Sequence, residues 1–448
     1  MSPQISDVEL QEILDSRGNP TLRVNLHLDT GLTATADVPS GASTGSEEAV
    51  ERRDGDPARY QGRGVVGVAA SAGAALSRRL VGTRLGAAED LRPLDDQLRD
   101  LDGTPNFASL GGNVAIGVSM AAIRAVADNL RTPLWQLINW LLNERLERPV
   151  QPILPVPHFN VINGGAHASN GLAFQEFMIA PLGISRLADR VRAGAEIYHT
   201  LRQTLADHQY DVGLGDEGGF APAVHRPETA LTLLVEAIKA AGYEPGPDGV
   251  AIALDPAANS FAQRSTMPSG PATYVVDNTS YEADELIDYY EQLIDQFPIW
   301  SIEDGLDEND WDAWSLILHR LGDRVQIMGD DLFVTNTGRI RRGIRQSCAN
   351  SVLIKPNQVG TVSQTLDAVA VAYRAGWTAM VSHRSGETAD TFVADLAVGI
   401  GCGQLKSGAP ARGERTAKYN RLLEIAHDSD VADPYPLPGR LRPIGVSA

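Results

Sequence analysis

From about residue 250 onward the chain repeats one pattern, a short apolar run followed by an amphipathic stretch with helical spacing. The runs are VAIALD, PIWSIED, VQIMGDD, SVLIKP, TAMVSH and GQLKSG. Between them lie DELIDYYEQLIDQF, DAWSLILHRLGD, TLDAVAVAYRAGW and TFVADLAVGIG. Strand–helix alternation sustained this long requires a parallel sheet with helical crossovers. With QEFMIAP (175–181) and the Pro-bounded ILPVPHFNVI added, the count suits an eight-stranded β/α barrel. A doubly wound open sheet is the alternative.

The ends of the six late runs favour the barrel. They carry Asp255, Glu303, Asp330, Lys355, His383 and Lys406, at intervals of 48, 27, 25, 28 and 23 residues. In a barrel, all C-terminal strand ends open into one shared mouth. Strands that merely end at the surface would explain one or two polar termini. They explain poorly three successive carboxylates followed by Lys, His and Lys.

The first 145 residues or so have another texture. ISDVELQEILDSRGNPTLRVNLHLDTGLTATADVPS alternates apolar and polar residues around Gly-Asn-Pro and Thr-Gly turns, the pattern of an antiparallel meander. Ala-rich helical stretches follow at 65–81 and 112–131. A small α+β domain over 1–148 is expected, with the Pro-rich PVQPILPVP leading into a barrel domain over 149–448. LWQLINWLLNERLERPV is too interrupted by Asn and charge to span a membrane, and reads as a packing helix.

A net charge of −19 argues against a nucleic-acid groove or an anionic membrane as partner. An anionic substrate would have to be drawn in locally, by a metal ion or a few placed cations. The cysteines Cys348 and Cys402 are the only two, too few for a disulfide framework. They suit a reducing cytosol, and no signal peptide is visible in MSPQISDVEL.

The chain holds four lysines, Lys239, Lys355, Lys406 and Lys418, and the other 34 of its 38 basic residues are arginine. A lysine kept at a strand end can do what arginine cannot, which is to release its proton and act as a base. Asp255, Glu303 and Asp330, converging from neighbouring strands, make a hard oxygen site suited to Mg²⁺. Lys355 facing that site is the candidate base, its pKa expected to be lowered by the second lysine and by bound cations. Removal of a proton α to a carboxylate is the matching reaction.

At this point the motifs resemble a known family. DSRGNPT, PSGASTG, NGGAHASNGLAFQEFMIAP, GDEGGFAP, SIED, GDDLFVTN, IKPNQVGT, VSHRSGET and KSGAPARGERTAKYN are similar to enolase (phosphopyruvate hydratase) motifs, in the family's order, over residues 5–427. The resemblance implies an α/β fold, a modified β/α barrel whose second strand runs antiparallel, capped by an N-terminal α+β domain. It implies dehydration of 2-phosphoglycerate to phosphoenolpyruvate with two Mg²⁺ per active site, in the cytoplasm. By position, Asp255, Glu303 and Asp330 match the first metal's ligands, and Ser43 joins a second metal when its loop closes. Lys355 matches the base, and Glu217, supported by Glu176, the acid at the departing hydroxyl. Lys406 matches a cation at the substrate carboxylate, Arg384 and Ser385 phosphate contacts, and His167 and His383 active-site histidines.

The chain also departs from the family, with Ala389 where Glu is usual and Asn259-Ser260 in place of a Ser-Glu pair. Two further functions therefore stand beside the first: an enolase-like dehydratase of a phosphonate analogue in natural-product biosynthesis, resembling carboxyphosphonoenolpyruvate synthase, and a non-catalytic binding protein on the same scaffold. The resemblance implies a homodimer, with a higher oligomer of dimers as a further possibility. Its interface Glu and Arg are here Arg23 and Glu424, which suggests an ion pair across the dimer with exchanged signs.

Overall fold

The computed structural model describes residues 2–41, 45–264 and 272–433. Strands β1 (Ile5–Leu14), β2 (Pro20–Leu28) and β3 (Thr33–Asp37) form the antiparallel meander, in sequence order. Its first turn is closed by Asp15, whose Oδ1 accepts from the backbone N–H of Arg17 and Asn19 at 2.9 and 2.8 Å. On β2 the buried positions Leu22, Val24, Leu26 and Leu28 alternate with more exposed ones, and this apolar face receives the helices. Helices α1 (Val66–Leu80) and α3 (Gly112–Leu130) cover the sheet, α2 (Leu91–Asp102) packs on both of them, and α4 (Leu134–Asn143) leads out of the layer.

Strand β4 (Val156–Asn163) opens a closed eight-stranded barrel. It is followed by β5 (Glu176–Ala180), α5 (Leu187–Asp207), α6 (Pro227–Ala240) and β6 (Ala251–Asp255). A small hairpin sheet, β7 (Ala262–Gln263), β8 (Thr273–Val276) and β9 (Thr279–Tyr281), projects from the next connection. The rest is regular: α7 (Ala283–Gln296), β10 (Ile299–Glu303), α8 (Trp311–Leu321), β11 (Gln326–Gly329), α9 (Thr337–Gln346), β12 (Ser351–Ile354), α10 (Val362–Arg374), β13 (Thr378–Ser382), α11 (Phe392–Gly399), β14 (Gln404–Lys406) and α12 (Gly413–Asp428). Barrel strands are buried on both faces, which is why they read as apolar runs rather than alternations.

β5 is antiparallel to both β4 and β6, while the other barrel neighbours are parallel. This reversal has a chemical consequence. It brings the first residue of β5, Glu176, to the end of the barrel where the other strands finish, in register with Asp255. The barrel is thus a closed one, not the open sheet. No helix among the described residues is long and apolar enough to cross a membrane.

The meander domain sits on the loop that follows β13. Ser40 and Gly386 exchange backbone hydrogen bonds at 2.7 and 2.9 Å, and the Ser16 N–H donates to the Glu387 carbonyl at 2.7 Å. A Cβ on Gly386 would lie 2.5 Å from both Asp15 Oδ2 and Ser40 Oγ, so only glycine permits this approach. A second tie is Asn139 of α4, whose amide donates to the Gly399 carbonyl at the end of α11 at 2.9 Å.

Candidate active site

The strand ends converge as the barrel geometry requires. Asp255, Glu303 and Lys406 are the last residues of their strands, and Asp330 and Lys355 fall within a residue of theirs. His383 follows β13 directly. Lys406 Nζ donates to Glu303 Oε1 at 2.6 Å, Asp255 Oδ2 at 3.2 Å and Glu176 Oε2 at 3.5 Å. Lys355 Nζ forms a short ion pair with Asp330, whose other oxygen accepts from Gln358 Nε2 at 2.9 Å. One cavity is lined by His167, Glu176, Glu217, Lys355, Arg384 and Lys406, among others.

Burial dominates the electrostatics here. By itself it would strip Lys406 of its proton, but Glu176, Glu303 and Asp255 outweigh it and hold the ammonium well above the usual lysine range. Burial, reinforced by Asp255, pushes Glu303 well above the ordinary carboxylate range. Lys355 does not show the lowered pKa expected from the sequence. Its burial works in that direction, but the adjoining Asp330 prevails and raises it.

Glu217 stands on a tight loop in which the Gly215 N–H donates to the Gly219 carbonyl at 2.8 Å. The loop lies directly on β4. A Cβ on Gly219 would come within 2.7 Å of Asn163 Oδ1 and 2.9 Å of the Asn160 carbonyl oxygen. Asn160 Nδ2 donates to Glu217 Oε2 at 2.9 Å, and His383 Nε2 lies 3.2 Å from the same oxygen. The His383 tautomer follows from its other side. Arg415 Nη1 is 2.6 Å from Nδ1, and a guanidinium can only donate, so Nδ1 accepts and Nε2 carries the hydrogen given to Glu217. Burial lowers the His383 pKa to about 4, which keeps the ring neutral.

Glu176 and Glu217 form a carboxyl pair with His167 between them, at 3.9 and 3.8 Å. Burial and the charge of Glu217 drive Glu176 well above the ordinary range. Glu217 is equally buried, yet His383, His167 and Arg415 hold it well below that range. The pair therefore shares one proton, with Glu176 the member pushed up and Glu217 the member pulled down.

Arg384 is held bidentately by Glu48, at 2.9 and 3.2 Å, and also donates to Asn357 Oδ1 at 3.0 Å. Ser385 is buried beside it, its carbonyl accepting from Arg415 Nη2 at 2.6 Å. Ser43 lies outside the described residues. Asp304 accepts from the backbone N–H groups of Asp330 and Asp331, both at 2.8 Å, and so shapes the turn that presents Asp330.

Asp255, Glu303 and Asp330 offer only oxygen donors, and Glu303 Oε2 is buried without a hydrogen-bond partner. Of the three, only Asp330 belongs, among the described residues, to a set of three whose carboxylate oxygens lie within 4.8 Å of one another, with Asp304 and Asp331. The donor set fits a hard divalent cation. Four contributors were not singled out from the sequence: Asn160, Glu48, Gln358 and Arg415. Each acts through a partner distant in the chain. The only available signal was that Gln358 and Arg415 lie inside quoted motifs and Glu48 beside one.

Fold and mouth together define an enzyme class: a capped barrel that handles a small anion by placing and removing protons. Two family models match the chain, "Enolase, N-terminal domain" over residues 5–138 and "Enolase, C-terminal TIM barrel domain" over residues 151–436. An enolase from Bifidobacterium animalis subsp. lactis (strain AD011) is 48% identical over 424 residues, covering 95% of each chain. The chain belongs to the enolase family. It is a hydro-lyase of the phosphopyruvate hydratase type, and its reaction is an enolase-type dehydration.

Proposed function

We propose that the chain dehydrates 2-phosphoglycerate to phosphoenolpyruvate. The observation that carries this reading is the division of two lysines in one mouth. Lys355 faces a single carboxylate, Asp330, while Lys406 is enclosed by three. Lys406 is thus fixed as a permanent cation for the substrate carboxylate, and Lys355 is the lysine left to take the α-proton.

Asp255, Glu303, Asp330 and Ser43 would hold two Mg²⁺ ions, which would supply the positive charge that makes a carbanion beside a carboxylate affordable. Lys355 Nζ, paired with Asp330, must first release its own proton to solvent, which it would do once Asp330 turned to a metal, and the neutral amine then accepts the α-proton. On the opposite side the Glu176–Glu217 pair holds one proton for the departing hydroxyl. Burial biases it toward Glu176, so it must pass to Glu217 before Glu217 gives it to the oxygen, with Glu176 supporting. His383 and Asn160 keep the Glu217 carboxyl aimed, and His167 bridges the pair. Arg384 and Ser385 bind the phosphoryl group, which competes with Glu48 for the Arg384 fork. The meander domain, taken as 1–148, closes over the barrel domain, 149–448, from the side of Ser16 and Ser40.

We also propose a cytoplasmic homodimer. Within the chain Arg23 is already gripped by Asp37 at 2.6 and 2.8 Å, and Glu424 lies 3.3 Å from Arg421. A cross-dimer Arg23–Glu424 contact would therefore extend two existing pairs. The experiment is a steady-state comparison of 2-phosphoglycerate with its phosphonate analogue, with Mg²⁺ and after chelation. Faster turnover of the phosphonate would replace this reading with the natural-product dehydratase. Undiminished turnover after exhaustive chelation would remove the metal from the mechanism.

A further inference from the structure

Helix α9 has a charge pattern that folding does not explain. Its sequence, TGRIRRGIRQ, holds Arg339, Arg341, Arg342 and Arg345 and no acid, and the chain has no acidic residue between Asp331 and Asp367. This occurs in a protein of net charge −19. Arg339 lies in the first turn, where the macrodipole disfavours cations, and of the four only Arg345 sits in the last turn, where it favours them. Arg341 and Arg345 repel one another at i,i+4. Ion pairs do not relieve the strain, since none of the four arginines has one among the described residues.

The arrangement on the helix is ordered. Ile340 and Gly343 are buried against the barrel. Arg341, Arg342 and Arg345 are exposed, and at 100° per residue they share one outward arc of about 100°. Trp311 holds one end of the group in place. The Arg342 guanidinium lies 4.0 Å from its ring centroid and that of Arg339 at 5.4 Å. Arg339 is turned inward, donating to the carbonyls of Leu332 at 2.6 Å and Glu308 at 3.2 Å. Arg341 and Arg345 make no hydrogen bond among the described residues, so their forks remain available.

We propose that the outward face of α9 docks a short acidic segment of a partner protein, rich in carboxylates. Planar guanidiniums suit carboxylates bidentately, and one of the three is already held in position by Trp311. Charge range selects a short peptide over nucleic acid. At physiological salt the Debye length is about 8 Å, so a peptide confined to the patch feels the arginines. An extended nucleic-acid strand would run on over the surface of a strongly acidic protein.

The test uses the full chain and a fluorescein-labelled decapeptide of alternating Glu and Gly, followed by fluorescence anisotropy at low and physiological salt. The expected result is salt-sensitive binding that Arg341→Ser/Arg345→Ser weakens by about tenfold. An Arg78→Ser/Arg79→Ser variant, changing an exposed pair on α1, should bind as wild type does. The α9 variant should also melt and turn over 2-phosphoglycerate as wild type does, because neither side chain has a partner to lose. Unchanged peptide affinity in the α9 variant overturns the proposal. So does tighter binding of a ten-nucleotide oligothymidylate than of the peptide. A change of sedimentation in the α9 variant without peptide would show that a second copy of the chain occupies this face, and would overturn it equally.

Discussion

At the mouth of the barrel Lys406 lies against Glu303, Asp255 and Glu176. Two residues earlier on the same strand, at the floor, Gln404 exchanges hydrogen bonds with Gln326, at 3.1 Å in one direction and 3.0 Å in the other. Two other strands repeat the contrast over four residues. Gln326, Met328 and Asp330 follow one another inward on the line of β11, and Ser351, Leu353 and Lys355 on that of β12. Met328, Leu353 and Met380 form an apolar layer between the two ends. Below it Thr378 Oγ1 donates to Gln326 Oε1 at 3.0 Å and Gln326 Nε2 to Ser301 Oγ at 3.2 Å. Above it nearly every polar group is ionisable. At the floor Gln326, Gln404, Thr378 and Ser301 complete one another as neutral groups, with Ser351 Oγ left without a partner among the described residues, whereas the mouth concentrates charge that only a substrate and metal can complete. Structure alone would favour the first solution.

The largest effect expected from this contrast is on turnover. Lys355→Ala should lower kcat by about 10³-fold or more, the range of a lost general base, an effect far beyond what the loss of the Asp330 ion pair does to unfolding. Lys355→Arg should not restore it, since arginine keeps its proton. Ser351→Ala, two positions deeper on the same line, should leave kcat as it is. Substantial activity in Lys355→Arg would mean that proton abstraction belongs to another group.

Next comes stability at the mouth. Lys406→Met leaves Glu303 and Asp255 buried without their cation. With chelator present, the urea midpoint should fall by the equivalent of about 3–5 kcal/mol, the usual consequence of breaking a buried ion pair from one side. A loss below about 1 kcal/mol would show that the carboxylates are already neutral, and that Lys406 is not what balances the site.

The sequence displayed this contrast only in part. The late strands were legible because burial on both faces makes them apolar, and Asp255, Glu303, Asp330, Lys355 and Lys406 stand out where each run stops. The reversed second strand and the closing loop around Ser43 entered through family resemblance, since no periodicity distinguishes a parallel strand from an antiparallel one. Asn160 and Arg415 were illegible as active-site groups. Asn160 sits inside an apolar run, and Arg415 on a helix whose charges look solvated until His383 is placed against it. Helix α9 also lacked the signal used for its neighbours. Its only apolar residues are Ile340 and Ile344, and it starts from the Asn336 cap, whose Oδ1 accepts from Gly338 and Arg339 at 2.8 and 3.2 Å. The raised pKa of Lys355 reflects a neighbour, Asp330, that spacing could bring into the same mouth but not into contact.

A smaller effect concerns pH and comes from the interior below the mouth. His158 is buried on β4 with its ring 5.5 Å from that of Trp300, and its Nδ1 lies 3.1 Å from the Val156 carbonyl. Burial lowers its pKa to about 4. The unfolded chain takes up a proton near pH 6.5 and the folded chain only near 4. Stability from this group is therefore complete above pH 6.5 and is lost as pH falls through that window. From pH 7 to pH 5 the loss should be about 2 kcal/mol. His158→Gln should flatten the urea-midpoint profile over this range by that amount. His167 and His383 titrate in the same direction and remain in both proteins, so the difference between the two profiles isolates His158. Identical slopes would place His158 in contact with water.

The smallest effect is the coupling between two residues of the floor. Gln326 and Gln404 each donate to and accept from the other, so either one alone replaced by Leu leaves a buried amide with unmet bonds. Each single substitution should cost about 1–3 kcal/mol in urea unfolding and leave kcat/KM unchanged. The double substitution removes both halves of the exchange. It should cost less than the sum of the singles, because the paired deletion of hydrogen-bonding partners is far cheaper than leaving one unpaired. Thr378 and Ser301 keep the recovery incomplete, since both also bond Gln326. Strict additivity would mean that the two amides do not act as a pair. A fall in kcat/KM for either single would mean that the apolar layer of Met328, Leu353 and Met380 transmits floor packing to the charged ring above, and that the two ends of the barrel are not energetically separate.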